Sequence, residues 1–195
     1  MVNGVVFGLY SPLPMSGKST AAAALTGVGW KRLPFAGTLK RMVRVLLLDL
    51  GQAEEEVERA LSSEKELPCV LLNHRTPRQL LQTLGTEWGR ELVDEELWVK
   101  CWRGRVSEAL CDGFCVVADD VRRWNEAKAV QQMGGAMVKV VRPGGGSDTF
   151  SDHASEGGLE QWPFDFELVN DGSIGDLQRQ VLALVNTFNQ QRSNG

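Results

Sequence analysis

The chain has 195 residues, of which 43% are hydrophobic and 24% are charged, as is typical of a soluble globular protein with one substantial core. Its net charge of −4 argues against a large nucleic-acid or anionic-membrane footprint. The first apolar run has no basic region before it and is too short for a signal sequence or a membrane span. We therefore expect a cytoplasmic protein.

The first predicted strand leads into a phosphate-binding loop. Residues 5–7 are apolar, and the sequence SGKST at 16–20 opens an Ala-rich helix. A strand, a loop and a helix in this order form the context that a P-loop requires. Gly17 lets the backbone approach a phosphate, Lys18 can reach the β- and γ-phosphates, and the Ser19 hydroxyl can ligate Mg²⁺. The alternative is a chance Gly-Lys-Ser sequence at a helix start.

One position in this loop departs from the P-loop pattern. The first glycine of G-x-x-x-x-G-K-[ST] would fall at position 12, where this chain has Pro12. The departure affects the expected backbone path of the loop, but it leaves Lys18 and Ser19 in place.

A short second strand at 30–35 and an amphipathic helix within 35–51 come next. Lys40 and Arg44 lie four residues apart on this helix, away from its apolar stripe, so they either reach an anion or form a solvated basic edge. Residues 52–66 are acidic and predict a helix with a solvated face. The apolar stripe consists of Leu39, Met42, Val43, Leu46, Leu47 and Leu50.

The segment 74–91 predicts a helix with an unusual polar face. Arg78 and Gln82 are spaced i, i+4 on it, and Gly85 and Gly89 continue roughly the same side. A guanidinium, an amide and two glycines on one face can line a ligand. The alternative is a surface face, on which each glycine weakens the helix by about 1 kcal/mol.

The second half of the chain alternates predicted helices and strands. Helical patterns begin near positions 94, 124 and 173, and apolar runs at 114–118, 136–141 and 166–169 predict buried strands. Asp119 and Asp120 follow one strand, at the carboxyl end where open α/β sheets bind ligands, and a Walker-B-like aspartate there would hold Mg²⁺ or its waters. The Gly-rich loop 142–161 has a length typical of functional loops.

This alternation predicts a parallel sheet covered by helices on both faces. Five strands are expected, with the P-loop on the first. An acid after an interior strand and a late glycine-rich loop that begins with Arg142 complete a consistent set of active-site features.

Several motifs occur together in one order along nearly the whole chain: SGKST (16–20), FAGTLK (35–40), RQLLQTLGTEWGRE (78–91), LWVK (97–100), ADDVRRWNEA (118–127), VVRPG (140–144), HASEGGL (153–159) and NDGSIGDL (170–177). With them the sequence resembles the deoxynucleoside monophosphate kinases of tailed bacteriophages, a branch of the P-loop nucleoside monophosphate (NMP) kinases. The resemblance implies an NMP-kinase-like P-loop NTPase fold, a three-layer α/β/α arrangement with a central five-stranded parallel sheet. It also implies a single kinase domain over 1–195, with a helical NMP-binding part at about 36–112 and a lid loop at about 142–161.

The implied reaction is dNMP + ATP → dNDP + ADP, which would supply phage DNA synthesis in the host cytoplasm. Mg²⁺ would accompany ATP, and no nucleic-acid or membrane partner is expected. Related enzymes are often monomers or homodimers, and either state is expected here.

The resemblance also implies roles for individual residues. Asp120 is preferred over Asp119 for the metal because it aligns with the D-x-R motif of the family. Gln82 would contact the base, Trp88 would stack on it, and His153 and Glu156 would bind substrate or order the lid. The ATP-binding residues are Ser16, Gly17, Lys18, Ser19 and Thr20, the metal residues are Ser19 and Asp120, and the catalytic residues are Lys18, Asp120, Arg122 and Arg142. The substrate-binding residues are Lys40, Arg78, Gln82, Trp88, Arg90, Arg122, His153 and Glu156.

Two other functions fit the same motifs. One is a P-loop kinase acting on another small molecule, and the other is a nucleotide-binding switch or regulatory module without transfer chemistry. The chain has no Asn-Lys-x-Asp guanine motif, which argues against a GTPase.

Overall fold

A computed structural model describes residues 4–144 and 158–193 of the chain. The chain divides into two compact units. The first, which we call the sheet unit, comprises Met1–Pro34 and Arg103–Gly195, and the second, the helical unit, comprises Phe35–Trp102. The predicted boundaries of an NMP-binding part at 36–112 and a lid at 142–161 stay a prediction.

The sheet unit is built on five parallel strands in the order β2-β3-β1-β4-β5. Strand β1 lies between β3 and β4 and is buried along its whole length, which explains its continuous apolar sequence. Because all the strands run parallel, their carboxyl ends meet at one edge of the sheet, where the P-loop begins. The strands are β1 (Val6–Tyr10), β2 (Lys31–Arg32), β3 (Val116–Ala118), β4 (Ala136–Val141) and β5 (Phe166–Val169).

Helices cover both sides of the sheet, so the predicted α/β/α fold with a central five-stranded parallel sheet is confirmed. The core of the sheet unit joins β1, β4 and β5 to helices α1 and α7, with Phe7, Leu25 and Leu177 almost fully buried. The helices of this unit are α1 (Lys18–Thr26), α6 (Trp124–Gln132) and α7 (Ile174–Ser193), and α5 (Leu97–Cys111) begins in the helical unit and ends in the sheet unit.

The second strand is shorter than the sequence predicted. The expected strand at 30–35 forms ladder pairs only at Lys31–Arg32, where Lys31 is opposite Val116 and Arg32 is opposite Val117. Among the described residues, the strand lies at the edge of the sheet and pairs on one side only. Its two residues nevertheless place the Arg32 side chain next to the end of β3, which matters for the site described below.

The helical unit has its own small core around Val43, Leu47, Val57 and Trp98. Leu80, Leu81 and Leu84 pack against this core, as their helical spacing predicts. The unit contains α2 (Gly37–Asp49), α3 (Glu54–Ala60), a 3₁₀ turn (Val70–Leu72), α4 (Pro77–Gln82) and a π-helical segment (Thr83–Val93).

The apolar stripe predicted for α2 is only half buried. Leu39, Val43 and Leu47 enter the core, whereas Met42 and Leu46 are 40% exposed. Three positions spaced by four residues suffice to cover the small core of this unit, so the rest of the stripe stays at the surface.

No helix within 4–144 and 158–193 is long and apolar enough to cross a membrane.

Candidate active site

The loop between β1 and α1 has the backbone of an anion-binding turn. Gly17 precedes the helix with φ of 105°, a left-handed conformation that favours glycine. A Cβ atom at this position would stand 2.6 Å from Nδ2 of Asn170 and 3.0 Å from Cδ2 of Leu177. The glycine is therefore required both by conformation and by space. The N-terminus of α1 follows immediately, and its first N–H groups have no partner within the helix.

The Lys18 side chain folds back along this loop. Its ammonium lies 3.4 Å from Ser16 Oγ and 3.5 Å from the Leu13 carbonyl oxygen, distances at the outer limit of hydrogen bonding. Burial lowers the pKa of Lys18, the positive charge of Arg122 lowers it further, and Asp119 partly opposes the change. Burial and the charge of Arg122 therefore destabilise the charged form of Lys18, and Asp119 offsets this effect only in part. A bound polyanion would stabilise the charged form.

Asp119 is the acid that meets the P-loop. The Ser19 hydroxyl donates a hydrogen bond to Asp119 Oδ2 at 3.3 Å, and the Asp119 side chain is 4% exposed. Asp119 directly follows β3, and β3 pairs with β1, so the two strand ends bring these residues together. From the family motif, the metal is assigned to the next residue, Asp120. That assignment stays a prediction, and the geometry favours Asp119.

Arg32 forms a two-pronged ion pair with Asp119. Its Nε donates to Oδ1 at 2.9 Å and its Nη2 to Oδ2 at 2.5 Å. The hydrogen bond to Asp119 is the main reason that the pKa of Arg32 is raised, although burial opposes it. A carboxylate that is almost fully buried needs such a partner, because an unpaired buried charge is strongly unfavourable. Arg32 therefore fixes the orientation of the acid that faces Ser19.

Glu126 fixes the backbone at Arg122. Its carboxylate accepts hydrogen bonds from the N–H groups of Arg122 at 2.8 Å and Arg123 at 3.2 Å, and the residue is 4% exposed. A glutamate in the first turn of α6 also suits the positive end of the helix. The turn that carries Arg122, a predicted phosphate-binding residue, is therefore rigidly attached to α6.

Arg142 lies directly after β4 and reaches the P-loop. Its Nη1 donates to the carbonyl oxygen of Met15 at 3.3 Å. The sequence assigns Arg142 to a lid over the donor phosphates, and that role stays a prediction. His153 and Glu156, the other residues predicted for the lid, lie outside the described residues.

Five of the predicted substrate-binding residues belong to the helical unit. The Arg78 guanidinium forms an ion pair with Glu66, and its backbone N–H donates to the Lys65 carbonyl at 2.9 Å. Gln82 is the last residue of α4 and is exposed. The remaining members are Lys40 in the first turn of α2, Trp88, which is 38% exposed, and Arg90, which donates to the Glu95 carbonyl at 3.3 Å.

The hypothesis that Gly85 and Gly89 make room for a ligand is not supported, because protein side chains fill that space. A Cβ at Gly89 would lie 2.6–2.8 Å from three indole atoms of Trp98, and one at Gly85 would lie 3.0 Å from Leu39 Cδ2. Trp98 Nε1 also donates to the Gly85 carbonyl at 2.7 Å. The chain changes from α- to π-helix after Gln82, so the i, i+4 spacing does not continue the α4 face to the glycines.

Sequence reasoning did not assign the contacts of three residues of this site, Arg32, Glu126 and Asn170, although Asn170 belongs to the NDGSIGDL motif (170–177). Glu126 had a local signal, since a glutamate three residues after a helix N-cap often binds the preceding backbone N–H groups. The contacts of Arg32 and Asn170 had no local signal, because their partners, Asp119 and Ser16, lie 87 and 154 positions away in the sequence. Only the strand order brings these pairs together.

The family model described as "Deoxynucleotide monophosphate kinase" matches residues 38–181 of the chain. A protein of Acanthamoeba polyphaga mimivirus, provisionally named deoxynucleotide monophosphate kinase, is 31% identical over 191 residues, which cover 90% of this chain and 93% of that protein. The deoxynucleotide monophosphate kinase of Enterobacteria phage T4 is 33% identical over 105 residues, or 53% of this chain and 43% of the phage protein. The deoxynucleoside-5'-monophosphate kinase of Escherichia phage T5 is 34% identical over 113 residues, or 54% and 44%. The match thus spans less than half the length of these phage relatives.

Among solved structures, the crystal structure of TT1252 from Thermus thermophilus aligns with a TM-score of 0.55 at 19% identity. The alignment covers 94% of this chain and 97% of that one, so it shows a shared fold. The family match runs from α2 to α7, and the mimivirus relative covers almost the whole chain. The chain therefore belongs to the deoxynucleotide monophosphate kinase family.

Proposed function

We propose that this chain transfers the γ-phosphoryl group of ATP to deoxynucleoside 5'-monophosphates and forms the corresponding diphosphates. The observation that carries the proposal is the Ser19–Asp119 hydrogen bond beside Lys18, at the end of a loop with a left-handed Gly17. This combination provides backbone donors, a cation and hard oxygen ligands at one helix N-terminus. Membership of the kinase family supports ATP as the phosphate donor.

The sheet unit is proposed to bind the donor. Backbone N–H groups of 16–20 would hold the phosphates, and Lys18 would neutralise the charge between them. Lys18 is suited to this role because burial and the charge of Arg122 lower its pKa, and a bound polyphosphate would raise that pKa again. Arg122, attached through Glu126, would stabilise negative charge on the transferred group, with Arg142 supporting it from the strand end.

The residues near Ser19 fit a magnesium ion. A hydroxyl and a carboxylate are oxygen ligands of the kind Mg²⁺ prefers, and the ion usually takes its remaining ligands from water and substrate phosphates. The described ranges contain no cluster of three or more His, Cys, Asp or Glu side chains able to hold a metal. When bound, Mg²⁺ would neutralise charge on the β- and γ-phosphates. We propose Ser19 and Asp119 as its protein contacts, in preference to Asp120.

The helical unit is proposed to bind the acceptor nucleotide. The planar fork of Arg78 suits the oxygens of a 5'-phosphate, with Lys40 and Arg90 adding positive charge. Arg78 is paired with Glu66, so the phosphate would have to replace that carboxylate. Gln82 is proposed to contact the edge of the base, and the exposed ring of Trp88 to stack on it. His153 and Glu156 keep their predicted roles in substrate binding or lid ordering.

The direct test is an ADP-release assay with ATP and each of the four common dNMPs. The expected result is ADP formation that depends on at least one dNMP and is lost in Lys18→Ala. Lys128→Ala serves as the matched control, because Lys128 is an exposed lysine on α6. ADP formation that does not depend on any dNMP would contradict the proposal and indicate an ATPase.

A second assay separates this function from a kinase acting on another small molecule. Thermal-shift screening compares dNMPs with unrelated metabolites, since a ligand that binds the native state raises the melting temperature. Stabilisation by a dNMP alone supports the proposal, and stabilisation only by another class of metabolite contradicts it.

We further propose that the enzyme acts in the host cytoplasm as a monomer or homodimer without nucleic-acid or membrane partners. Light scattering on the purified chain tests the oligomeric state.

A further inference from the structure

We propose that Asn170 is a positioning residue that holds the P-loop in its phosphate-binding conformation. Its side-chain Nδ2 donates a hydrogen bond to the Ser16 carbonyl oxygen at 2.9 Å. Its backbone N–H donates to the Val141 carbonyl at 2.7 Å, directly after the pairing of Val141 with Val169. The amide that reaches the loop is therefore carried by the sheet itself, at the carboxyl end of β5.

The contact controls the direction of a peptide group. The Ser16 carbonyl and the Gly17 N–H belong to one planar peptide, and the described chain contains no cis peptide bond. In a trans peptide the C=O and N–H point in opposite directions. A donor that holds the Ser16 carbonyl on one side therefore keeps the Gly17 N–H aimed at the other. Within 4–144 and 158–193, the N–H groups of Ser16 and Gly17 donate to no backbone carbonyl.

Asn170 also packs against the one residue of the loop that must be glycine. A Cβ at Gly17 would stand 2.6 Å from Asn170 Nδ2, so the amide occupies the space beside the Gly17 Cα. The same side chain thus restrains the loop by a hydrogen bond at Ser16 and by contact at Gly17. Both restraints therefore act on the part of the loop in which Gly17 adopts its positive φ.

The preceding peptide is held in a similar way. Arg142, after β4, donates to the Met15 carbonyl at 3.3 Å, and that carbonyl shares a peptide with the Ser16 N–H. Two successive carbonyls of the loop therefore accept hydrogen bonds from residues at the ends of β4 and β5. This support is notable in a loop that has Pro12 where the P-loop pattern has its first glycine. The Asn170 hydrogen bond is shorter than the Arg142 bond and partly buried, so we assign it the larger part of the stabilisation of the loop.

The test compares two amides that make hydrogen bonds of the same length. Gln180 on α7 donates through Nε2 to the Val169 carbonyl at 2.9 Å, also partly buried, so this hydrogen bond is made to β5 and not to the P-loop. Asn170→Ala and Gln180→Ala each remove one amide-to-carbonyl bond next to β5. Calorimetry with MgADP measures nucleotide affinity, and thermal unfolding measures the structural effect.

We expect Asn170→Ala to weaken ADP binding about 5- to 10-fold, the effect of one lost hydrogen bond. Gln180→Ala should bind ADP within about twofold of the original chain, while both variants lose similar stability. In turnover assays Asn170→Ala should raise KM for ATP and leave KM for dNMP unchanged. Asn170→Asp, which keeps the size but presents an oxygen to Ser16, should weaken ADP binding at least as much.

Unchanged ADP affinity in Asn170→Ala would overturn the inference, as would an equal loss in Gln180→Ala. If Asn170→Ala does not fold, unchanged affinity in Asn170→Asp has the same meaning. The inference rests on the proposed function only in requiring that the loop binds a nucleotide phosphate. A chain that binds ADP but transfers no phosphoryl group would refute the kinase proposal and leave this comparison intact.

Discussion

Replacing Gly89 by alanine distinguishes a packing role for this glycine from a ligand-binding role. The new Cβ would lie 2.6–2.8 Å from three atoms of the Trp98 indole, a distance at which atoms must move. Trp98 is 3% exposed and donates to the Gly85 carbonyl, so it cannot shift without disturbing the core of the helical unit. If the glycine instead made room for a ligand, alanine would stabilise the helix and impair only binding.

The expected change in the free energy of unfolding combines three effects. Overpacking costs about 1–3 kcal/mol, weakening the Trp98 hydrogen bond costs about 1 kcal/mol, and the better helix propensity of alanine returns about 1 kcal/mol. Gly89→Ala should therefore destabilise the protein by about 1–3 kcal/mol. For a chain of this length, each kcal/mol corresponds to about 2–4 °C in melting temperature.

The matched control is Gly104→Ala. Gly104 is also a helical glycine, on α5, but nothing lies within 4 Å of a Cβ built there. This variant should be more stable by up to about 1 kcal/mol, because only the propensity effect remains. Urea denaturation followed by circular dichroism measures both changes. If Gly89→Ala proves as stable as the original chain while its KM for dNMP rises, the packing explanation is wrong and the ligand-binding interpretation is restored.

Three further predictions concern the donor and acceptor sites. Since burial lowers the pKa of Lys18, and only its charged form attracts phosphate, ADP affinity should begin to fall at a lower pH than that at which an ordinary lysine loses its proton. An affinity that stays constant up to about pH 10 would contradict this. Asp119→Asn should impair Mg²⁺-dependent turnover more than Asp120→Asn, because Asp119 accepts the hydrogen bond of the Ser19 hydroxyl, and a Mg²⁺ titration that ranks them in the opposite order would restore the motif-based assignment. Glu66→Gln should lower KM for dNMP by up to about threefold and leave KM for ATP unchanged, because the acceptor phosphate no longer has to replace the Glu66 carboxylate at Arg78 and this exposed ion pair contributes little energy. A raised KM for dNMP would show that Glu66 assists binding.

Local sequence determined the donor loop and the fold class. The order of apolar strand, glycine, lysine and serine specifies a P-loop because each residue acts within a few positions of the next. The five strands and the parallel arrangement follow from the alternation of short apolar runs with amphipathic helices. Local signals of this kind do not depend on the order of strands in the sheet, so they can be read before that order is known.

Tertiary structure decided which residues meet. Whether Asp119 or Asp120 faces Ser19 depends on the register of β3 against β1, which no local pattern contains. Arg32 and Asn170 reach the site because the strand order places β2 beside β3 and β5 two strands from β1, with the carboxyl ends of all these strands at one edge of the sheet. The sequence predicted space beside Gly89 because glycine has no side chain. Only the structure, in which the π-helical segment sets the direction of each side chain, shows that Trp98 fills this space. Side-chain contacts between distant positions depend on packing and strand register. The sequence by itself therefore determined the chemistry of the donor loop, and the tertiary structure determined which residues contact that loop.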